Sequence, residues 1–360
     1  MGSFILRRTG VMLLTALCLT FIVFFLTNLY PNLEKLAKTE GNMRMTDEQV
    51  ESWLVNRGYT QSVPKKYGEW LGVLPSLKTE VNGEVYSRCS RPGMADEDIP
   101  NYCGILQGNF GYSSVFKGEV SKIIGTRLSL TGWLMLGVLA VMIPMALLVG
   151  VLAGMREGSR TDRSLSTFAI ATTATPEYVS GVIFVVLFAS SKSGLSPIFY
   201  EWGWIAKKTM LKGSAASAMN DITFVNFTLP VMALAIYGMG YIARMTRASM
   251  AEVMTAQYIR TARLKGVRFR DIVLKHALRN ALIAPFTVIM LQIPWLLTGV
   301  VIVETLFNYK GFGWALVQAA GNNDIELLLG ISVIAVIVVL ITQLISDIGY
   351  VFLNPRIRVS

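Results

Sequence analysis

The 360-residue chain has a single histidine, His276. It excludes a multi-histidine metal site, and, set among cations, it reads as a packing or interface residue rather than the base of a Ser–His pair. No G-x4-G-K-[ST] string occurs, which excludes a phosphate-cradling P-loop. Charge is scarce too. Asp, Glu, Lys and Arg make up 16% of the residues against 53% for the apolar set, and mean hydropathy is +0.50. That balance excludes a soluble core and indicates a polytopic membrane protein. The net charge of +10 lies in short loops flanking apolar runs, which topogenesis explains without nucleic acid. Cysteine is limited to Cys18, in the first apolar run, and to Cys89 and Cys103, which share one polar stretch. If that stretch faces an oxidising compartment, the pair closes a short loop worth about 3 kcal/mol. Two free thiols are the alternative, which such a compartment disfavours.

What is present is a series of apolar runs long enough to span a bilayer. They cover 9–30, 128–155, 164–190, 224–243, 282–307 and 327–353, giving an all-α chain of six transmembrane helices. No A-x-A-like cleavage site follows the first run, so it reads as a retained helix. Residues 31–127 form the one long polar segment, with twelve basic residues balanced by twelve acidic ones. Such a segment can be translocated without violating the positive-inside rule. Within it, Asp47 to Arg57 reads as a short helix with Trp53 and Leu54 inward. The short basic loop from Arg156 to Arg163, the segment 244–281 and the tail at Arg356 and Arg358 all belong in the cytoplasm by the same rule, with both termini. Phe199, Tyr200, Trp202 and Trp204 suit interfacial anchors, and Pro285 and Pro294 suit kinks in the fifth span.

Segment 244–281 carries nine basic residues against Glu252 and Asp271. Thr255 to Lys265 contains only helix-tolerant residues, Gly266 follows as a C-cap, and a second helical run starts near Phe269. Ala262 and Gly266, four apart, permit close approach of another surface. Tyr258-Ile259-Arg260-Thr261-Ala262-Arg263-Leu264-Lys265-Gly266, followed after nine residues by His276-Ala277-Leu278-Arg279-Asn280, resembles the coupling loop of ABC-importer permeases of the peptide/nickel branch. Arg260 stands where the wider family has an acidic residue, and Arg279 where it has proline. Three further strings resemble family motifs: Gly150-x3-Gly154-x3-Gly158 with Asp162-Arg163; Val303-Glu304-Thr305-Leu306-Phe307 with Gly311-Phe312-Gly313; and Asp347-x2-Tyr350-x3-Asn354-Pro355-Arg356. Gly108-Asn109-Phe110-Gly111-Tyr112-Ser113 is similar to the family's Gly-Asp-Phe-Gly-x-Ser turn, with Asn109 at the aspartate. Ser76 to Leu106 matches no family element and reads as an insertion.

The resemblance implies a type I importer permease fold in the bacterial inner membrane, with 31–127 outside. It implies a second homologous permease, two ATPase subunits holding ATP and Mg, an extracytoplasmic binding protein and surrounding lipid; this chain itself holds no cofactor and no metal and is not an enzyme. Tyr258, Arg260, Ala262, Arg263, Lys265, Gly266, His276 and Arg279 would couple to the ATPases. The implied substrates are peptides, or nickel chelates, opines or sugars. Glu177, an intramembrane carboxylate beside Pro176 and near Thr173, is a candidate for the translocation path; a structural pairing with a neighbouring helix is the equal alternative. Glu304 and Asp347, near span ends, suit structural hydrogen bonds. The competing class is a secondary transporter working without ATPases, which an inverted repeat would favour; no repeat is visible.

Overall fold

The helices set the architecture. The computed structural model describes residues 2–81, 84–90 and 94–353. In chain order the elements are α1 (Gly2–Thr27), α2 (Tyr30–Glu40), α3 (Asp47–Asn56), α4 (Val63–Leu71), β1 (Lys78–Val81), β2 (Glu84–Ser87), β3 (Tyr112–Ser113), β4 (Gly118–Glu119) and α5 (Val120–Gly154). Then follow α6 (Arg160–Ala174), α7 (Glu177–Phe184), α8 (Leu195–Glu201), α9 (Phe224–Met254), α10 (Gln257–Leu264), α11 (Phe269–Asp271), α12 (Leu278–Ala281), α13 (Ile283–Leu306), α14 (Phe312–Gly321) and α15 (Ile325–Leu353). Among the described residues, four helices are long and apolar enough to cross a membrane: α1, α5, α9 and α15. The number rises to six if two bent pairs each count as one span. The basic tail from Asn354, part of the closing motif, lies outside the described residues.

Three expectations change in detail. The third run, 164–190, is not one helix: α6 and α7 meet at 101° across Thr175 and Pro176. Proline disfavours helical geometry at the residue before it, and Thr175 is extended at φ −97°, ψ 117°. The fourth helix does not stop at 243. It continues to Met254, because a run of charge marks where apolarity ends, not where helical hydrogen bonding ends. The chain is also not wholly α, since β1–β2 and β3–β4 form two small antiparallel hairpins. Pro294 lies inside α13, and a 54° bend separates that helix from residues 269–281.

The chain divides into two units. In the larger, mostly residues 129–314, α9 is the inner helix. Of its most apolar window 67% is buried, against 11–39% for the other three long helices. Glycines set its spacing. A Cβ on Gly150 would lie 2.5 Å from Thr246 Cβ and 2.6 Å from the Ala243 carbonyl, and one on Gly154 2.5 Å from the Arg247 carbonyl. A Cβ on Gly240 would overlap Thr172 and the Ala169 carbonyl of α6. Small residues thus let the backbones approach, as in membrane helix pairs generally. Leu134, Val138, Met142, Leu234, Met239 and Leu296 fill the core between.

A buried ion pair ties the start of α6 to α9. Asp162, 3% exposed, accepts from Arg247 Nε at 2.9 Å and Nη2 at 2.8 Å, from the Gly158 N–H at 2.8 Å and from Ser166 Oγ at 3.0 Å. The guanidinium, with those two further donors, holds the Asp162 carboxyl far below the usual carboxylate range against the opposing effect of burial. A second buried carboxylate, Glu304, accepts from Thr131 Oγ1 and, at 2.8 Å, from the Trp314 N–H. Thr131 Oγ1 in turn accepts from the Phe312 N–H at 2.7 Å.

In the smaller unit, residues 6–128 with 315–340, α3 begins with a capping box between Thr46 and Gln49. Its Val50, Trp53 and Leu54 pack with Leu33 and Leu36 of α2, Trp70 of α4 and Ile325 and Leu329 of α15. The 108–113 turn fastens to the start of α15: Ser113 Oγ donates to Asp324 Oδ2 at 2.5 Å, and Asp324 Oδ1 caps the helix through the Leu327 N–H. Asn109 Oδ1 accepts from the Gly111 N–H at 2.9 Å, the acceptor role that an aspartate would fill. The 76–106 stretch holds the β1–β2 hairpin and a disulfide joining Cys89 to Cys103.

Two outcomes follow from these contacts. Gly150→Leu should lower thermal stability in detergent by roughly 1–3 kcal/mol through overpacking; unchanged melting would mean that α5 and α9 are not in close contact there. Because Asp162 titrates below its unfolded value of about 3.9, its contribution is present at neutral pH and is lost as pH falls from that value toward the folded one. Asp162→Asn should therefore cost roughly 2–3 kcal/mol at pH 7, somewhat under the range for fully buried pairs because Arg247 keeps 31% exposure. The gap to the native protein should narrow below about pH 4, as read from melting curves across pH.

Candidate functional site

The 244–281 segment is built on a small core of its own. After Met254 the helix stops at Thr255, and Ala256, extended at φ −64°, ψ 148°, starts α10 in a new direction. Alternation at helical spacing gives α10 two faces. Ile259 (0% exposed) and Ala262 (8%) turn inward onto Met250, Met254, Ile272, Val273, Ala277 and Ala281. Gly266 ends the turn at φ +73°, a left-handed conformation that glycine adopts without steric cost. A π turn, Ile272–Ala277, then leads through α12 into α13.

The sequence-derived residues separate on this frame. Arg260, Arg263, Lys265, Gly266, His276 and Arg279 are exposed. Among the described residues, no carboxylate lies within ion-pair distance of those arginines or Lys265; Asp271 pairs with Lys275 at 3.0 Å. Tyr258 is half exposed, and its hydroxyl accepts from Asn280 Nδ2 at 2.9 Å, bracing α10 against the end of the loop. Ala262 does not offer the close-approach surface expected of it, because its methyl is used inside the protein's own core. At Gly266 a Cβ would meet nothing within 4 Å, so that position faces open space and the glycine is required by φ.

Sequence reasoning passed over Leu264. It is 81% exposed at the end of α10, flanked by Arg263 and Lys265. An apolar side chain in the most basic stretch of the chain was a readable signal, hidden by treating the stretch as a string of charges. The Asp162–Arg247 pair was missed as well. Asp162 was visible only as part of a corner motif, and its partner lies 85 residues further along.

Elsewhere, the break between α6 and α7 collects Thr173, Pro176 and Glu177. Thr173 Oγ1 donates back to the Ala169 and Ile170 carbonyls. Glu177 occupies the first turn of α7, where a carboxylate suits the helix dipole. Among the described residues no cation pairs with it, so the alternative of an ion pair to a neighbouring helix has no partner there. Glu304 has the structural role expected of it; the Cβ that an alanine would bring at Gly311 would fall on its Oε1 and on Thr131 Oγ1. No group of three or more His, Cys, Asp or Glu arranged for a metal occurs among the described residues.

Comparison with known proteins gives this arrangement a context. Residues 146–359, more than half of the chain, match the family described as binding-protein-dependent transport system inner membrane component. The chain is similar to a di/tripeptide transport system permease protein of Pseudomonas aeruginosa, 30% identical over 99% of each chain. It is 27% identical to an oligopeptide transport system permease protein of Bacillus subtilis over 99% of this chain and all of the other. A glutathione transport system permease protein of Pectobacterium atrosepticum is 31% identical over 71% of this chain. The strings around Gly150, Glu304 and Asp347 lie within the matched residues, and with the apolar helices they fall into one assignment: this is a multi-pass inner-membrane chain that belongs to the binding-protein-dependent transport system inner membrane component family.

Proposed function

We propose that this chain is one of two homologous permease subunits forming the pore of an ATP-driven importer of peptides or similarly small solutes. In this reading segment 244–281 and both termini are cytoplasmic and residues 31–127 lie outside, where a substrate-binding protein delivers its cargo. The observation that carries the reading is α10: a two-turn helix held from behind by Ile259 and Ala262 and offering Arg260, Arg263, Leu264 and Lys265 to a partner. That is the form of a helix that seats in a groove. Leu264 supplies the apolar contact, about 1.5–3 kcal/mol if fully buried, and the cations pair with acidic groups at the groove's rim. The partner is a separate ATPase holding ATP and Mg.

Tyr258, Asn280 and the shared core brace α10 against the entry to α13, so displacement of α10 by a closing ATPase is delivered to the spans rather than absorbed in a slack loop. The α6–α7 break, with Thr173 and Glu177, is a polar interruption among apolar helices and suits the lining of the path. Peptide as cargo rests on the names of the relatives. Nothing observed favours a secondary transporter, which would have no use for a braced basic helix beyond its spans.

The test is co-purification from the native host. The native chain should bring a second permease and two P-loop ATPases. Leu264→Asp should insert and melt normally, since its side chain is not packed, yet lose the ATPases and substrate uptake. Full uptake by Leu264→Asp would end the coupling assignment, and recovery of the native chain alone would move the weight to a secondary transporter.

A further inference from the structure

The smaller unit contains an open cavity of about 300 Å3, lined by Glu40, Arg57, Tyr59, Tyr86, Arg88 and Glu326 among others. Its charges are unusually arranged. Arg57 follows α3, and its guanidinium lies against two rings: Cζ is 4.1 Å from the Trp53 ring centre and 4.4 Å from that of Tyr86. These cation–π contacts use none of its five N–H bonds. Among the described residues no carboxylate comes within ion-pair distance of it. Glu40, the last residue of α2, lines the same cavity and likewise has no cation within that distance.

The other charges of the wall are already satisfied. Arg88 donates to Glu326 through Nε at 3.2 Å and Nη2 at 2.7 Å, and to the Trp70 carbonyl at 3.1 Å. Gly111, at φ +88°, leaves room for Glu326, whose Oε2 a Cβ there would displace. The Tyr59 hydroxyl has no partner among the described residues. Burial pushes it well above the usual tyrosine value, so it stays protonated and able to donate.

A guanidinium held against two rings with its N–H bonds unused is a fork for a carboxylate. An unpaired carboxylate sharing the cavity is a seat for an ammonium group. The two have opposite signs and are not paired with each other. We propose that this cavity binds a small zwitterionic peptide, its terminal carboxylate on Arg57 and its terminal ammonium on Glu40, with Tyr59 as a further donor. The volume is at the low end of the about 300–1,000 Å3 of small-molecule sites, which suits a dipeptide. The inference rests on the peptide-importer reading and adds to it a subsite that the 31–127 segment forms with the first turn of α15.

Isothermal titration of the full chain in lipid nanodiscs with dialanine tests it, beside dialanine acetylated at its amino end and amidated at its carboxy end. Saturable binding of the free dipeptide only is expected, weakened about tenfold or more by Arg57→Gln or Glu40→Gln and partly restored by Arg57→Lys. Glu40 is exposed at a helix end, so Glu40→Gln carries the test even if Arg57 variants misfold. No saturable binding, equal binding of the capped peptide, or native affinity in Glu40→Gln would overturn the proposal; the first is the outcome if the cavity serves only a docking protein. Co-purifying ATPases, scored on the same preparation, keep the importer reading distinguishable, since they can be present whether or not dialanine binds.

Discussion

Helix α9 meets its neighbours at points where a methyl group would not fit. Gly150 and Gly154 bring α5 against Thr246, Arg247 and Met250, and Gly240 admits Thr172 and the Ala169 carbonyl of α6. Lipid tails are as apolar as leucine, so burying apolar side chains gives little drive to bring membrane helices together, and close van der Waals contact has to supply it. Arg247 reaches Asp162 with both nitrogens only because the helices are already that close. The glycines and the ion pair are therefore one device: the first sets the spacing and the second fixes the rotation and height of α9 against the start of α6.

The two buried carboxylates of the larger unit answer the same problem in different ways. Asp162 has a formal positive charge opposite it and two further donors, which suits a site near the end of the helices. Glu304 accepts from a threonine hydroxyl and a backbone N–H. Both show that a buried acid is tolerated when its acceptor positions are filled. Glu177, with none filled among the described residues, stands apart from them, and that contrast separates a carboxylate that holds the fold from one with a different use.

Much of this was legible in the chain. The runs near 128, 224 and 327 each locate a long helix, the last within two residues at either end. Gly266 was readable because a glycine after a helix-tolerant run has one common use. Two things were not readable. Charge shows where a helix leaves the apolar phase but not where it ends, so α9 ran on to Met254. Pro176 announced a break but not an angle of 101°, because angle is set by what the second half packs on. Inward and outward faces of α10 could not be told apart either. Ala262 looked like a contact for another protein and is core, whereas Leu264 is, among the described residues, the most exposed large apolar side chain.

The cluster of Thr131, Glu304 and Gly311 has a consequence for how this sequence can drift. A side chain at position 311 would strike both of the other two, and loss of the hydroxyl at 131 would remove a donor to Glu304 and the acceptor of the Phe312 N–H. No single replacement leaves the remaining two content, so the three positions are expected to change together or not at all. The 173 residues between Thr131 and Glu304 then make this a long-range constraint, one that a large enough set of relatives would reveal as correlated columns far apart in the alignment.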